Sequence, residues 1–324
     1  MKPVSTLLAC MALALLGTAL PAAAQTVLNV NTALTTDDPM YAGLERMKAN
    51  VEKRSTGKLT IRIYPGSQLG KDEDVLEQAR AGANVAVLVD GGRLAPFVKE
   101  FGIMGAPYLV DNYDQVLRLT GSPLFKGWVD KLRNAANLQV LAFDWFQGHR
   151  HVLTNVPVKT PADLKGIRMR TPGAPVWLET VRTMGATPTG MPWSEVYSAL
   201  QTKVIDGAEA QHPAVYGARL YEVVKVITKT EHIYLITGIV TSRTWFDKLP
   251  ADQQKVLTEE TEAAGRWASE KTIESLADYE KKLREKGVSV VEIDKAPFRA
   301  ATNSVYATLG YTDLRTEVNK VLGK

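Results

Sequence analysis

The stretch Asn84–Asp90, NVAVLVD, decides the fold class, because it is apolar at every position between its two polar ends. A strand that is apolar on both faces belongs in a sheet that is covered on both sides. Upstream, Val27–Asn31 and Lys58–Tyr64 predict two more strands, and apolar spacing predicts helices beginning near Pro39 and over Lys71–Arg80. This alternation of strands and helices predicts an α/β fold with a largely parallel sheet.

A second set of elements follows along the chain. We predict strands at Leu138–Asp144, His149–Thr154 and Gly166–Arg170, helices at Ala174–Met184 and Ser194–Gln201, a strand that ends at Asp206, a strand at Val288–Ile293 and a C-terminal helix. In this part of the chain, Pro250–Lys286 carries apolar residues at helical spacing, with only Gly265 as a helix breaker. A helix of that length spans about 50 Å, which is enough to brace two lobes.

The N-terminal segment, residues 1–24, has the pattern of a secretory signal peptide. A single charge, Lys2, is followed by an apolar run and by small residues, so we expect cleavage near Ala24/Gln25. A membrane anchor is disfavoured because the apolar run is shorter than the roughly 20 residues of a spanning helix. The lipobox-like stretch before Cys10 lies too early. We therefore expect a periplasmic protein whose mature chain does not insert into the membrane.

The composition excludes several classes of function. The only cysteine, Cys10, lies in the predicted signal peptide, so the mature chain has no thiol for a disulfide, a nucleophile or a metal ligand. A net charge of +4 falls to +3 without Lys2 and is evenly spread, which does not indicate nucleic acid binding. The chain contains no G-x-S-x-G, Walker A, G-x-G-x-x-G or H-E-x-x-H pattern. We expect no catalytic set and no cofactor.

The histidines offer one metal hypothesis. His149 and His151 can share a strand face and bind a metal ion together with His212. No carboxylate is spaced to complete the ligand set, so we favour polar residues of a cleft or surface and predict no metal site.

Arginine and aromatic residues cluster where the predicted strands end. This set consists of Arg93, Trp145, Phe146, Arg150, Arg170 and Trp193. Ligands of open α/β sheets bind at the carboxyl ends of strands, and a planar guanidinium can bind a carboxylate through two parallel hydrogen bonds. Each arginine also has an ordinary alternative, a solvated or ion-paired surface side chain. Arg168 shares a strand face with Arg170 but lies further from the strand end, so it fits that alternative.

Several longer motifs occur in an order that resembles one known family. They are YPGSQLG (64–70), GAPYLV (105–110), GHR (148–150), DLKGIRMRTP (163–172), MGATP (184–188), WSEVYSALQT (193–202) and VIDGAE (204–209). Together they resemble the DctP-type solute receptors of tripartite ATP-independent periplasmic (TRAP) transporters, and the similarity covers essentially the whole mature chain.

The resemblance implies a two-lobed periplasmic-binding-protein fold. Each lobe is expected to be a mostly parallel sheet flanked by helices, with the long helix bracing both. We expect lobe I to comprise residues 25–147 and 236–275, and lobe II, which anchors a carboxylate, residues 148–235 and 276–324. The resemblance also implies that the lobes close on a small organic acid anion and deliver it to the small and large membrane subunits of a TRAP permease.

The family pattern carries over to particular positions. Arg170 corresponds to the arginine that pairs with the ligand carboxylate, and Arg150 to a second arginine. Asp90 and Arg93 match the acidic residue and arginine after a strand, Trp193 matches an aromatic position, and Asn31 matches the first strand–helix loop.

One departure concerns the ligand. Where sialic acid receptors of the family carry asparagine after D-G-x-E, this chain has Ala210, followed by Gln211 and His212. Together with Trp145, Phe146 and Trp193, this favours an aromatic or branched 2-oxo or 2-hydroxy acid over sialic acid. A sugar acid is the alternative, because Asp90, Gln211 and His212 could bind hydroxyl groups.

Two other functions remain open from the sequence. A periplasmic enzyme would use Arg170 as a substrate anchor and His149 or His212 as the acid or base. A sensory receptor would need the same two-lobed clamp as a transport receptor.

Overall fold

The computed structural model describes residues 26–324, so the predicted signal peptide lies outside the described residues. Within this range nine strands form one sheet: β1 (Thr26–Asn31), β2 (Leu59–Tyr64), β3 (Val85–Asp90), β4 (Leu138–Thr154), β5 (Arg168–Thr171), β6 (Thr187–Gly190), β7 (Gly207–Ala210), β8 (Val226–Ser242) and β9 (Ser289–Val291). Their order is β2-β1-β3-β8-β4-β7-β5-β6, and β9 pairs with β8.

The sheet consists of two parallel groups joined by two long strands. β1 is parallel to β2 and β3, whereas β5 is parallel to β6 and β7. The connecting strands β4 and β8 have 17 residues each and are antiparallel to each other. β4 is also antiparallel to β7, and β8 is also antiparallel to β3. We call the β1–β3 end lobe I and the β5–β7 end lobe II. The residue boundaries given above for the two lobes stay a prediction.

Helices cover both faces of the sheet. They are α1 (Pro39–Arg54), α2 (Asp72–Arg80), α3 (Gly91–Leu94), α4 (Tyr113–Thr120), α5 (Pro123–Ala136), α6 (Pro175–Thr183), α7 (Val196–Gln201), α8 (His212–Gly217), α9 (Arg243–Phe246), α10 (Ala251–Glu285), α11 (Ala296–Thr302), α12 (Ser304–Thr308) and α13 (Thr312–Leu322), with short 3₁₀ segments at Lys99–Gly105, Pro161–Leu164, Trp193–Glu195 and Leu220–Glu222. As predicted, α1 begins with Pro39, and the Asp38 carboxylate caps it by accepting from the Met40 N–H.

The predicted long helix is confirmed as α10, which packs against α1 in lobe I, against α8 and β9 in lobe II, and along β4. Its glycine has a packing role. A Cβ at Gly265 would lie 2.3 Å from Nε1 of Trp145, so only glycine leaves room for that buried indole. No helix within residues 26–324 is long and apolar enough to cross a membrane.

One strand prediction was wrong, and two predicted strands form a single strand. The two strands predicted at Leu138–Asp144 and His149–Thr154 are one strand, β4, because pairing with β8 continues through several register shifts, including one between Phe146 and Gly148. Gly148 accommodates this irregularity with a φ of +117°.

The predicted strand ending at Asp206 is instead a turn, and β7 begins one residue later. The Asp206 carboxylate accepts hydrogen bonds from Arg168 there, and Val204 is 55% exposed. No strand was predicted at the position of β8, one of the two strands that join the lobes.

Candidate functional site

A cavity lies between the two lobes, where the carboxyl ends of β1, β3, β5 and β7 converge. The centre of a water molecule can occupy about 60 Å³ of it. Six of the ten predicted ligand-binding residues line this cavity: Asp90, Arg93, Arg150, Arg170, Trp193 and Gln211. Strands β4 and β8 supply its floor through Gln147, Arg150, Leu235 and Thr237.

Arg170 is a buried cation without an anionic partner. It is the last residue but one of β5, and its side chain is only 1% exposed and donates from Nε to the Met191 carbonyl at 2.9 Å. A guanidinium has five N–H groups, and the four on Nη1 and Nη2 find no acceptor among residues 26–324, nor does any carboxylate there lie within 4.0 Å. Burial, together with the nearby charge of Arg150, lowers the pKa of Arg170 to about 9.

Arg150, in contrast, is largely neutralised. Its Nε and Nη2 groups bind the buried carboxylate of Glu209 on β7, Nη2 also donates to the Glu209 carbonyl, and Nη1 donates to Gln211 at 3.2 Å. Burial alone would raise the pKa of Glu209, but the charge of Arg150 and the hydrogen bonds from His232 and Arg150 hold it well below its usual range. One N–H on Nη1 of Arg150 is therefore left for a ligand.

The lobe I wall of the cavity is acidic. Arg93 contacts three carboxylates: those of Asp90, of Glu73 at 2.9 Å and of Asp72 at 3.6 Å. Its charge is thereby compensated within the wall itself. Burial raises the pKa of Asp72 to about 6, against the opposing effect of the Arg93 charge. This end of the cavity therefore presents carboxylate oxygens, which accept hydrogen bonds.

Hydrogen-bonded side chains, two glutamines and a threonine, extend along the cavity. Gln211 donates to the side-chain oxygen of Gln147 at 3.0 Å, and Gln147 donates to the Thr237 hydroxyl at 3.2 Å. These groups are buried, so their orientation is set by the protein rather than by solvent.

Four predicted site residues lie outside the cavity lining. Trp145 is completely buried among the residues of α1 and α10, and Phe146 stacks on Tyr234 with the ring centroids 3.9 Å apart. Neighbouring residues of a strand point to opposite faces of the sheet, and both faces are covered here, so each ring packs into its own core cluster.

Asn31 and His212 are close to the cavity in the chain but do not line it. The Asn31 side chain donates to the Gly70 carbonyl and, at 3.5 Å, to Asp72, so it orients a residue that does line the cavity. His212 packs against His151 with the ring centroids 4.5 Å apart. Burial lowers the pKa of both histidines, that of His212 to about 4. The part of the chain that the structure describes contains no cluster of three or more metal-binding side chains.

Sequence reasoning missed five polar residues of the site: Thr32, Asp72, Gln147, Glu209 and Thr237. Glu209 lies within the VIDGAE motif, so a search for a carboxylate partner of Arg150 could have found it. Asp72 follows the YPGSQLG motif directly. Thr237 carried no signal, because β8 itself was not predicted.

Comparison with known proteins gives a consistent result. The model of bacterial extracellular solute-binding protein family 7, DctP, matches residues 30–313. The chain is 27% identical over 283 residues to the sialic acid-binding periplasmic protein SiaP of Vibrio cholerae, covering 87% of this chain and 88% of that protein.

Two solved structures are similar as well. An open, ligand-free TRAP periplasmic solute-binding protein from Escherichia fergusonii is 44% identical, with a TM-score of 0.80 over 91% of this chain and 99% of that one. One from Ochrobacterium anthropi with bound L-fuconate is 32% identical, with a TM-score of 0.89 over 92% and 100%. The less identical, ligand-bound structure superposes better, which indicates that the lobes described here are closed.

Proposed function

This chain belongs to family 7 of the bacterial extracellular solute-binding proteins, the periplasmic receptors of TRAP transporters, and on that premise we propose that its ligand is a sugar acid with a single carboxylate. The proteins of this family are transport receptors for small acids and not enzymes. The finer assignment, a hydroxylated monocarboxylate, rests on the arrangement of charges around the cavity.

The unpaired guanidinium of Arg170 carries the proposal. A buried cation is costly unless it is paired, and within residues 26–324 Arg170 contacts only a backbone carbonyl and an aromatic face. A ligand carboxylate bound to Nη1 and Nη2 would compensate the charge in a bidentate geometry. Arg150 lines the same cavity, and its remaining N–H supplies a further donor.

The opposite wall supports a hydroxylated ligand. Asp72 and Asp90 accept hydrogen bonds, and their charge disfavours a second carboxylate on the ligand. Gln147, Gln211 and Thr237 add polar groups that suit hydroxyls. Trp145 and Phe146, on which the expectation of an aromatic or branched 2-oxo or 2-hydroxy acid rested, lie in the core. The sugar acid is therefore the better supported of the two ligand classes, and the L-fuconate bound to the similar protein belongs to it.

The transport role follows from the cavity between the lobes. Arg170 and Arg150 on lobe II attract an acid anion, and closure brings Asp90, Arg93 and Asp72 of lobe I against its other end and excludes water. We place this receptor in the periplasm after cleavage of its leader near Ala24/Gln25. Its partners in this proposal are the small and large membrane subunits of a TRAP permease, which take up the acid from the closed receptor.

Titration calorimetry on refolded, ligand-free protein tests the ligand class. We expect L-fuconate or D-glucuronate to bind, and succinate and phenylpyruvate to bind at least about tenfold more weakly. Tighter binding of phenylpyruvate than of the sugar acids would favour an aromatic 2-oxo acid as the ligand. Tighter binding of succinate would contradict the role of the acidic wall. Recovery of unchanged acid after prolonged incubation is expected, whereas conversion to a product would support the enzyme instead.

A further inference from the structure

A buried tryptophan connects the two lobes behind the cavity. Trp177 lies in α6 of lobe II, is 1% exposed, and donates from Nε1 to Oδ1 of Asp90 at 3.0 Å. Asp90 ends β3 in lobe I and lines the cavity, whereas Trp177 does not. The hydrogen bond therefore joins an element of lobe II to the ligand-facing wall of lobe I.

The same indole also supports an arginine of the cavity. The guanidinium carbon of Arg150 lies 4.7 Å from the centroid of the Trp177 ring, within the range of a cation–π contact. Since the edges of that guanidinium bind Glu209 and Gln211, the indole covers its face. Trp177 thus contacts one cavity residue from each lobe, Asp90 through its N–H and Arg150 through its ring.

Lobe I has a glycine-lined socket for this side chain. A Cβ at Gly92 would lie 2.3 Å from Nε1 of Trp177 and 2.9 Å from Oδ1 of Asp90. At Gly105, a Cβ would lie 3.4 Å from the same nitrogen. A side chain at position 92 would break the Trp177–Asp90 hydrogen bond directly, so this position accepts only glycine when the lobes are closed.

We propose that Trp177 is a positioning residue for ligand binding, which holds Asp90 and Arg150 in the one relative arrangement that fits the acid. The proposal rests on the sugar-acid function above. The Trp177 N–H and the Arg93 backbone N–H donate to Oδ1 of Asp90, and the Arg93 side chain donates to Oδ2, so the carboxylate is fixed in orientation and keeps an acceptor site on Oδ2 for a ligand hydroxyl. Without the indole N–H, the Asp90 carboxylate loses one of these constraints, and the closed arrangement loses a buried hydrogen bond to a charged group.

Trp177→Phe tests the proposal, because it removes the N–H and keeps an aromatic ring. We expect it to weaken binding of L-fuconate about tenfold or more. Trp128→Phe is the matched control: Trp128 is equally buried, packs against Phe101 and Phe125 in the core, and does not line the cavity. It should lower stability less than Trp177→Phe does, because Trp128 donates no such hydrogen bond to a carboxylate, and it should leave the affinity unchanged. Equal affinity of Trp177→Phe and wild type would overturn the proposal.

A second variant keeps the test independent of core truncation. Gly92→Ala displaces the same N–H, and Gly173→Ala, whose Cβ meets nothing within 4 Å, is its control. We expect Gly92→Ala alone to weaken binding. If it binds as tightly as Gly173→Ala, Trp177 does not act through Asp90.

A double-mutant cycle on unfolding separates this inference from the proposed function. In the Asp90→Ala background, Trp177→Phe should lower the urea midpoint less than it does in the wild-type background, because the hydrogen bond is already absent. Additive effects would contradict the coupling of Trp177 to Asp90 even if the acids bind. Absence of acid binding by the wild type, with non-additive unfolding, would instead contradict only the sugar-acid function.

Discussion

The guanidinium carbon of Arg170 lies 5.2 Å from the ring centroid of Trp193, so this buried cation rests on an aromatic face and not beside a carboxylate. A desolvated cation–π contact contributes about 2 kcal/mol, whereas an unpaired buried charge costs several kcal/mol. The ligand-free closed protein is therefore destabilised at this position, and a carboxylate ligand relieves that cost. A substitution that removes the charge of Arg170 should therefore weaken ligand binding but should not destabilise the ligand-free protein.

Replacing Arg170 by Met tests this relationship. The pKa of Arg170 is lowered from its ordinary value, which means that folding disfavours the charged form, so a neutral side chain should leave the ligand-free protein as stable or more stable. L-fuconate binding should weaken by about 2–5 kcal/mol. Thermal unfolding with and without L-fuconate measures both effects.

Arg168→Met is the control for that substitution. Arg168 lies on the same strand, but its side chain is 48% exposed and pairs with Asp206 at 2.8 Å. An exposed pair of this kind contributes about 0–1 kcal/mol, and no change in binding is expected. A large loss of stability in Arg170→Met, or a similar loss of binding in Arg168→Met, would contradict the assignment of the anchor.

Asp72→Asn should change the selectivity for acids. The substitution keeps the shape of the side chain and removes negative charge from the acidic wall, so succinate should gain affinity relative to L-fuconate. Glu73→Gln is the control, because Glu73 also pairs with Arg93 but does not line the cavity. The ratio of the two dissociation constants is the measurement. An unchanged ratio in Asp72→Asn would show that the wall does not exclude dicarboxylates.

Gly265→Ala should destabilise the protein although alanine favours a helix. The added Cβ would meet the Trp145 indole at 2.3 Å inside the core, and overpacking of this kind costs about 1–3 kcal/mol. Gly127→Ala in α5 is the matched control, because a Cβ there has nothing within 4 Å and should stabilise by about 1 kcal/mol. Urea unfolding of both variants gives the comparison, and stabilisation by Gly265→Ala would disprove the packing role.

His212 should lower the free energy of unfolding as the pH falls from about 6.5 to 4, whereas the raised pKa values of Asp38, Asp72 and Asp144 act in the opposite direction. Burial lowers the pKa of His212 to about 4, so in this window the unfolded chain binds a proton that the folded chain does not. The stability that depends on neutral His212 is fully present above pH 6.5 and is lost as the pH approaches 4. The total loss in the free energy of unfolding is about 3 kcal/mol at most. Urea midpoints of wild type and His212→Gln across this range provide the test. Parallel pH profiles would contradict the prediction.

Much of the architecture could be predicted from local patterns. The strand at Asn84–Asp90, the Asp38 cap of α1 and the length of α10 each depend on residues close together in the chain, and the structure contains all three. The position of Arg170 at a strand end also follows from local alternation, because the Thr-Pro sequence that stops β5 comes directly after it.

Only the tertiary structure decided which side chains face the cavity. Trp145 and Phe146 follow a predicted strand as Arg150 does, yet both rings pack into core clusters on the two covered faces of the sheet, whereas Arg150 lines the cavity. Alternation gives the relative faces of neighbouring residues in a strand, but elements from elsewhere in the chain decide whether a face meets the core or the cavity. Likewise, Glu209 neutralises Arg150 from 59 residues away, whereas Arg170 finds no such partner. The sequence by itself determined which residues are charged and where strands end. Pairing between the distant strands β4 and β7 decided that Glu209 neutralises Arg150 and that the charge of Arg170 remains for the ligand.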